Sequence, residues 1–158
     1  MSLYELCEKK LSGKGEKRGV QAAPVQDDLP GSITALLMQG TIKSTFDMGT
    51  ISFNNGQFDD AINYFTYVIK YSPGHELAHM LRGCAYQEKG DFDTAIADLN
   101  TAVKINPNNF YSYFSRGNSY YHKRDKDHAV SDYETALRLK PGDEKATSNL
   151  KLARTMQG

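Results

Sequence analysis

The chain contains 158 residues, of which 39% are hydrophobic and 24% charged, and its 19 basic and 19 acidic residues give no net charge. This length suits one soluble domain, and a neutral chain has no overall field that would attract nucleic acid or an anionic membrane. The two cysteines, Cys7 and Cys84, have no paired spacing and no apolar run reaches membrane-spanning length, so we predict a protein of the reducing cytoplasm without membrane insertion.

The N-terminal region, residues 1–31, is predicted to be a flexible tail. Residues 12–31 are rich in glycine, proline and charge, which disfavours a packed core, although residues 2–11 could form a short helix within the tail. Residues 32–40 contain an apolar set that follows Ser32, a candidate N-cap. This segment is predicted either to extend the following helix backward or to form a separate helix that caps the fold.

The rest of the chain contains an internal repeat of 34 residues. Similar stretches of sequence end at Pro73, Pro107 and Pro141, and small residues recur at fixed distances before each proline. We interpret each unit as two helices that approach closely at the small residues, with bulky side chains filling the space between them. A unit ends at its proline because a helix does not easily continue through the residue before proline. The small residues are Gly49, Gly83 and Gly117 in the first helices and Ala61, Ala95 and Ala129 in the second, and the filling residues include Phe58, Phe65, Ile105 and Leu139.

These residues make the sequence resemble the tetratricopeptide repeat family. Within the 34-residue unit, the small residues take the eighth and twentieth places and the proline takes the thirty-second. The resemblance implies an all-α fold, a right-handed α-solenoid of helix-turn-helix repeats. The predicted domain spans residues 32–158, with repeats at about 42–75, 76–109 and 110–143 and a capping helix at about 143–156. The sequence departs from the family pattern at Ser52, Arg124 and Lys126.

The stretch HELAH places His75, Glu76 and His79 in the H-E-x-x-H pattern of zinc hydrolases. Two histidines four residues apart share a helix face only when both are helical, and the repeat frame starts this helix near Glu76. No third ligand follows at a known spacing, and Asp98, about twenty residues on, is predicted to face solvent. A zinc metallohydrolase is therefore the remote alternative, and we predict no catalytic residue, no metal and no cofactor.

The resemblance also implies where a ligand binds. The first helices of stacked repeats line a concave groove, and in the family the places 2, 5, 6, 9, 12 and 13 of each unit commonly face it. These places carry mainly apolar and aromatic residues, so we predict that the groove binds a protein or peptide partner and no nucleic acid. The predicted groove residues are Lys43, Phe46, Thr50, Phe53, Leu77, Met80, Leu81, Cys84, Tyr111, Phe114, Asn118 and Tyr121.

Many members of the family bind the C-terminal carboxylate of heat-shock chaperones through a clamp of lysine, arginine and asparagine side chains. No clamp is predicted here, because its places hold Phe46, Thr50, Leu81, Tyr111 and Ser115. The leading hypothesis is a non-catalytic adaptor or scaffold, co-chaperone-like in its architecture, that binds an apolar or amphipathic segment. The alternative is a structural homodimer formed through the groove, the N-terminal segment or the end helices. Residues 32–40 could also occupy the groove themselves, in cis or from a second copy.

Overall fold

A computed structural model describes residues 31–156 of the chain. Residues 1–30 of the predicted tail, with the short helix predicted at residues 2–11, lie outside this range, whereas Gly31 is the first residue of a helix. Within residues 31–156 the chain forms seven α-helices and no strand, and none of these helices has the length and apolar character needed to cross a membrane. The helices are α1 (Gly31–Asn54), α2 (Phe58–Tyr71), α3 (Glu76–Glu88), α4 (Phe92–Ile105), α5 (Phe110–His122), α6 (Lys126–Leu139) and α7 (Glu144–Thr155).

The helices stack in pairs. The pairs α1 with α2, α3 with α4 and α5 with α6 form three units, and α7 packs against α6 as the end helix. The first helices also contact one another along the stack, α1 with α3, α3 with α5 and α5 with α7, whereas the second helices share no contact of similar extent within the described range. The first helices therefore line the inner side of a curved stack. The predicted all-α solenoid is confirmed.

The recurring glycines mark the places where the two helices of a unit come closest. A Cβ atom added at Gly49 would lie 2.7 Å from a ring carbon of Phe65, and one added at Gly83 would lie 2.9 Å from Cγ of Leu99. Both distances are shorter than real Cβ contacts, so only glycine fits, and the predicted close approach is confirmed. The same contact recurs between Gly117 and Tyr133, and the alanines Ala61, Ala95 and Ala129 of the second helices are fully buried.

The turn inside each unit contains one residue in the left-handed conformation. Gly56 has φ 73° and Gly90 has φ 81°, and the same place in the third unit is taken by Arg124 with φ 61°. Glycine adopts this conformation without strain, whereas a side chain brings Cβ close to the following carbonyl oxygen. Glycine therefore suits the ends of the first helices in units one and two, whereas the third unit carries backbone strain at its equivalent turn.

The substitution Arg124→Gly is expected to raise the free energy of unfolding by up to about 1 kcal/mol, because it removes the left-handed strain. The gain is reduced by the greater freedom of glycine in the unfolded chain. Urea denaturation followed by circular dichroism measures the change. Arg124→Ala is the matched control and should give no gain, since alanine keeps the Cβ atom. An equal gain from both substitutions would place the cause in the arginine side chain instead of the backbone.

In the second and third units a buried ion pair joins the two helices, and its arginine also donates a hydrogen bond to the unit before. Arg82 of α3 donates two hydrogen bonds of 2.7 Å to Asp98 of α4 and a third, of 3.0 Å, to Thr66 of α2. The prediction that Asp98 faces solvent is wrong: its side chain is 8% exposed, because an arginine of the neighbouring helix provides a charged partner in the interior. The hydrogen bond with Asp98 raises the pKa of Arg82, so the guanidinium stays charged. The third unit repeats the arrangement with Arg116, Asp132 and Asn100.

The segment before the first repeat continues the first repeat helix. Of the two alternatives left open by the sequence, the backward extension is therefore correct, and Ser32 lies inside α1 and not at its N-cap. The side chains of Leu36, Leu37 and Met38 are 69%, 50% and 41% exposed, so residues 32–40 do not occupy the groove of their own chain.

Two bulky residues predicted to fill the units are partly exposed instead. Ile105 is 39% and Leu139 36% exposed. Each is the last residue of its helix, where the helices of a unit no longer face each other. In the end helix, Ala153 is fully buried and faces the stack, whereas Leu152 is 53% exposed.

Candidate peptide-binding groove

The predicted groove residues divide by exposure into two groups. The first helices contact one another, so side chains that point along the stack enter the crevices between these helices. Cys84 Sγ lies 3.5 Å from Ser115 Oγ, and Met80 Sδ lies 3.7 Å from Asn109 Nδ2. Partly or fully exposed on the inner side are Lys43, Phe46, Thr50, Leu77, Tyr111, Asn118 and Tyr121. Buried in the core, in place of the expected contact with a ligand, are Phe53, Met80, Leu81, Cys84 and Phe114.

The N-terminal end of the groove is formed by half-buried apolar side chains. The ring of Phe46 lies 4.6 Å from that of His75 and 5.7 Å from that of Phe65, measured between centroids. Leu77 and Tyr111 also pack with part of their surface against the core between the helices. A ligand here would touch the outer edges of these side chains.

A pocket of about 230 Å³ lies at the other end of the inner side. Asn118 of α5 lies at its centre: its Oδ1 accepts hydrogen bonds from Tyr133 Oη at 2.8 Å and from Asn149 Nδ2 at 2.9 Å. Burial raises the pKa of Tyr133, so the phenol remains a neutral donor at physiological pH. These bonds fix the Asn118 amide, and its Nδ2 group is the part of this side chain left for a ligand. The pocket is lined by Gln87, Asn118, Tyr121, His122, Tyr133, Asn149 and Leu152.

The predicted set lacks five residues of this pocket, Gln87, His122, Tyr133, Asn149 and Leu152. The set was drawn from the three repeats, but α7 stands where the first helix of a fourth unit would stand and lines the groove as well. A sequence signal for this existed: Ala146 and Ala153 follow Ser112 and Ser119 by the same 34 residues. An end helix that keeps the repeat's small residues packs like a repeat helix.

The first histidine of the H-E-x-x-H pattern caps a helix. The helix begins at Glu76, and His75 Nδ1 accepts a hydrogen bond of 3.2 Å from the Ala78 backbone N–H. Burial lowers the pKa of His75, so the ring is neutral at physiological pH and can act as this acceptor. The prediction that His75 precedes the first helical residue is confirmed.

The other two members of the pattern have structural partners. His79 Nε2 lies 3.0 Å from the Pro73 carbonyl oxygen and its Nδ1 lies 3.4 Å from Asp98 Oδ1. Glu76 accepts hydrogen bonds from Asn109 at 2.6 Å and from Ser112 at 3.1 Å, which ties α3 to α5. In the part of the chain that the structure describes, no three histidine, cysteine or carboxylate side chains are placed to hold one metal ion.

Comparisons of the sequence with family models support the repeat assignment. A model described as TPR repeat matches residues 83–123, and two described as tetratricopeptide repeat match residues 46–86 and 110–143. Together these matches extend over residues 46–143. No curated protein sequence matches the chain.

Solved structures with the same stack of helices include TPR domains bound to HSP90 and HSP70 peptides. The first TPR of Spaghetti (RPAP3), bound to the HSP90 peptide SRMEEVD, is 27% identical, with a TM-score of 0.70 over 72% of this chain and 90% of that one. The second TPR domain of human RPAP3, in complex with the HSP70 peptide SGPTIEEVD, is 24% identical, with a TM-score of 0.70 over 73% and 97%. The Arabidopsis OM64 TPR domain is also 24% identical, with a TM-score of 0.71 over 73% and 95%. The last two similarities concern the fold alone.

Proposed function

Because the chain belongs to the tetratricopeptide repeat family, we propose that it is a non-catalytic adaptor that binds a peptide segment of a partner protein in its inner groove. The observation that carries the proposal is the pocket lined by residues of α3, α5, α6 and α7, which combines hydrogen-bonding amides with an apolar wall. A small number of polar groups set among apolar ones is the usual composition of a ligand site. The first TPR of Spaghetti (RPAP3), a similar structure, is bound to a peptide.

The chemistry of the groove suits an amphipathic segment. At the pocket, Tyr121 and Leu152 offer apolar surface, while Gln87 and Asn149 carry amides that both donate and accept hydrogen bonds. An amide can therefore pair with main-chain N–H and C=O groups of a peptide without selecting a charge. Toward α1, the exposed edges of Phe46, Leu77 and Tyr111 continue the apolar surface, with Lys43 and Thr50 beside them.

The places that would form a carboxylate clamp carry no charge in this groove. Phe46 is packed between two rings, and Leu81 and Ser115 are buried. Thr50 and Tyr111 are uncharged. A C-terminal carboxylate would lose its hydration on binding and gain no cation in exchange, which is unfavourable. We therefore propose that recognition relies on apolar anchors and not on an ion pair.

The heptapeptide SRMEEVD is expected to bind poorly, with no saturation at concentrations up to about 1 mM in isothermal titration calorimetry. The reason is the absence of cations at the clamp places. The same peptide with an amidated C-terminus is the matched ligand, and both forms should give the same weak response. Micromolar binding of the acid form together with loss on amidation would contradict the proposed mode.

The double substitution Leu77→Ala with Tyr121→Ala is expected to weaken partner binding by about tenfold or more, since truncation of an aromatic anchor commonly has that effect. Affinity capture followed by titration of the captured segment measures the change. Tyr71→Ala is the matched control, because Tyr71 is 40% exposed at the end of α2, a second helix outside the groove. If the double variant captures the same proteins with the same affinity, the groove is not the binding site. Phe114 is unsuitable for this test because it is a core residue.

A further inference from the structure

The outer face of α1 differs from the equivalent face of every later first helix. In later units, the third and tenth places face the preceding second helix and hold only alanine or serine. All six of these side chains are fully buried: Ala78, Ala85, Ser112, Ser119, Ala146 and Ala153. In the first unit the same places hold Ser44, which is exposed, and Ile51, which is 59% exposed. No described helix covers this end of the stack.

The exposed face continues beyond the repeat. Leu37, Ser44 and Ile51 are spaced seven residues apart and therefore lie on one side of the helix, within about 20° per step. Leu37 is 50% exposed, and a Cβ atom at Gly40 on the same side would meet nothing within 4 Å. Helix α1 has 24 residues where α3 and α5 have 13, so this face is three turns longer than a repeat requires.

We infer that this face, the α1 outer face of Leu37, Gly40, Ser44, Met48 and Ile51, packs against the same face of a second copy of the chain, with the two α1 helices antiparallel. Leu37 and Ile51 lie symmetrically about Ser44, so a two-fold axis at Ser44 places Leu37 of one copy against Ile51 of the other. Gly40 then meets Met48 in the same way. The dimer then contains two apolar contacts between Leu37 and Ile51. It also contains two contacts of a large with a small residue, between Met48 and Gly40, because every contact of an isologous interface occurs twice.

The charges beside this face are also self-complementary. Lys43 and Asp47 are exposed on one flank of α1. Under the same two-fold axis, Lys43 of one copy and Asp47 of the other differ by about 3 Å along the helix axis, within reach of their side chains. In a parallel arrangement the same flank of the two helices would lie on opposite sides of the interface, so Lys43 and Asp47 would not be paired.

The size of Ile51 argues against a further repeat as the element that packs on the α1 outer face. Each internal joint keeps alanine or serine at this place, which lets the preceding second helix approach closely. Isoleucine would hold such a helix away. An antiparallel α1 places Leu37 beside Ile51 and the small Ser44 at the two-fold axis, so the two helices can approach at Ser44 while Leu37 and Ile51 pack against each other.

The test is the mass of the full chain in solution and its dependence on this face. Multi-angle light scattering is expected to show a dimer, and Ile51→Asp is expected to raise the dimer dissociation constant by at least about tenfold, with an unchanged circular dichroism spectrum. Leu152→Asp, at an apolar residue exposed to a similar degree at the other end of the stack, is the matched control and should leave the dimer intact. A chain that is monomeric at every concentration, or a dimer unaffected by Ile51→Asp, would overturn the inference.

Cross-linking tests the orientation. In a Cys7→Ser background, Ser44→Cys lies on the two-fold axis and should form a covalent dimer on oxidation. Leu37→Cys should not, since its two copies would be about 21 Å apart. The reverse result would exclude the antiparallel arrangement. Peptide binding by the Ile51→Asp monomer is measured separately. The dimer and the proposed adaptor function are therefore tested independently of each other.

Discussion

The substitution Asp132→Ala is expected to lower the free energy of unfolding by about 3–5 kcal/mol, because it leaves the Arg116 guanidinium partly buried without a counter-charge. Arg116 binds the Asp132 carboxylate through two hydrogen bonds of 2.8 and 2.6 Å, and the carboxylate side chain is only 6% exposed. A guanidinium remains protonated in proteins even without a partner, so Arg116 cannot avoid this cost by losing its proton. Chemical denaturation of the full chain measures the change.

Removal of both charges is expected to be much less damaging. The first unit has Met48 and Tyr64 at the equivalent places, an uncharged pair in the one unit that no described helix precedes. The double variant Arg116→Met with Asp132→Leu should therefore recover most of the stability lost in Asp132→Ala, as in other buried pairs replaced by apolar residues. If Asp132→Ala lowers the free energy of unfolding by less than about 1 kcal/mol, the pair is not a determinant of stability.

The substitution Leu99→Ala is expected to lower the free energy of unfolding by about 3 kcal/mol, since Leu99 is fully buried and its removal leaves a cavity against Gly83. Gly83→Ala alone should also be destabilising, by about 1–3 kcal/mol, because its methyl group would lie 2.9 Å from Leu99 Cγ. The two effects should not add. In the Leu99→Ala chain the contact with Leu99 Cγ is gone, although the Ala95 carbonyl oxygen would still lie 3.1 Å from the added methyl, so Gly83→Ala should become less destabilising than in the parent chain.

A control for helix propensity comes from Gly40, a helical glycine with no neighbour within 4 Å. Gly40→Ala should stabilise the chain by up to about 1 kcal/mol, through propensity alone. Gly40 lies on the proposed dimer face, so this comparison is made in the Ile51→Asp chain. Simple addition of the Gly83→Ala and Leu99→Ala effects would show that the contact seen at this joint does not limit the packing of α3 on α4.

Much of the architecture could be predicted from the sequence. The interval between Pro73, Pro107 and Pro141 located the units, and the small residues at Gly83 and Ala95 located the face on which two helices meet. These features are predictable because they depend on local chemistry: a proline ends a helix, and a glycine marks a close approach wherever it recurs at one register. The same frame explained why His75, which falls at a helix N-cap, is unsuited to share a ligand face with His79.

The candidate site was predicted less well. Register counting placed Met80 and Cys84 on the inner side, but it could not tell a side chain that points into open groove from one that enters the crevice toward the next first helix. Asp98 was predicted to face solvent from its register in the second helix, and only the position of Arg82 on another helix reverses that expectation. The α7 contribution of Asn149 and Leu152 depends on how the end helix packs.

The sequence alone determined the helices, their 34-residue units and the small residues at each joint, because these follow from the order of residues along a few turns of chain. Only the tertiary structure decided which inner residues are reachable, where the pocket lies and which end of the stack is uncovered. The exposure of a side chain depends on neighbours that are distant in sequence. Ile51 occupies the same place as Ala85 and Ser119, yet of the three it alone is exposed, because no described helix precedes its unit.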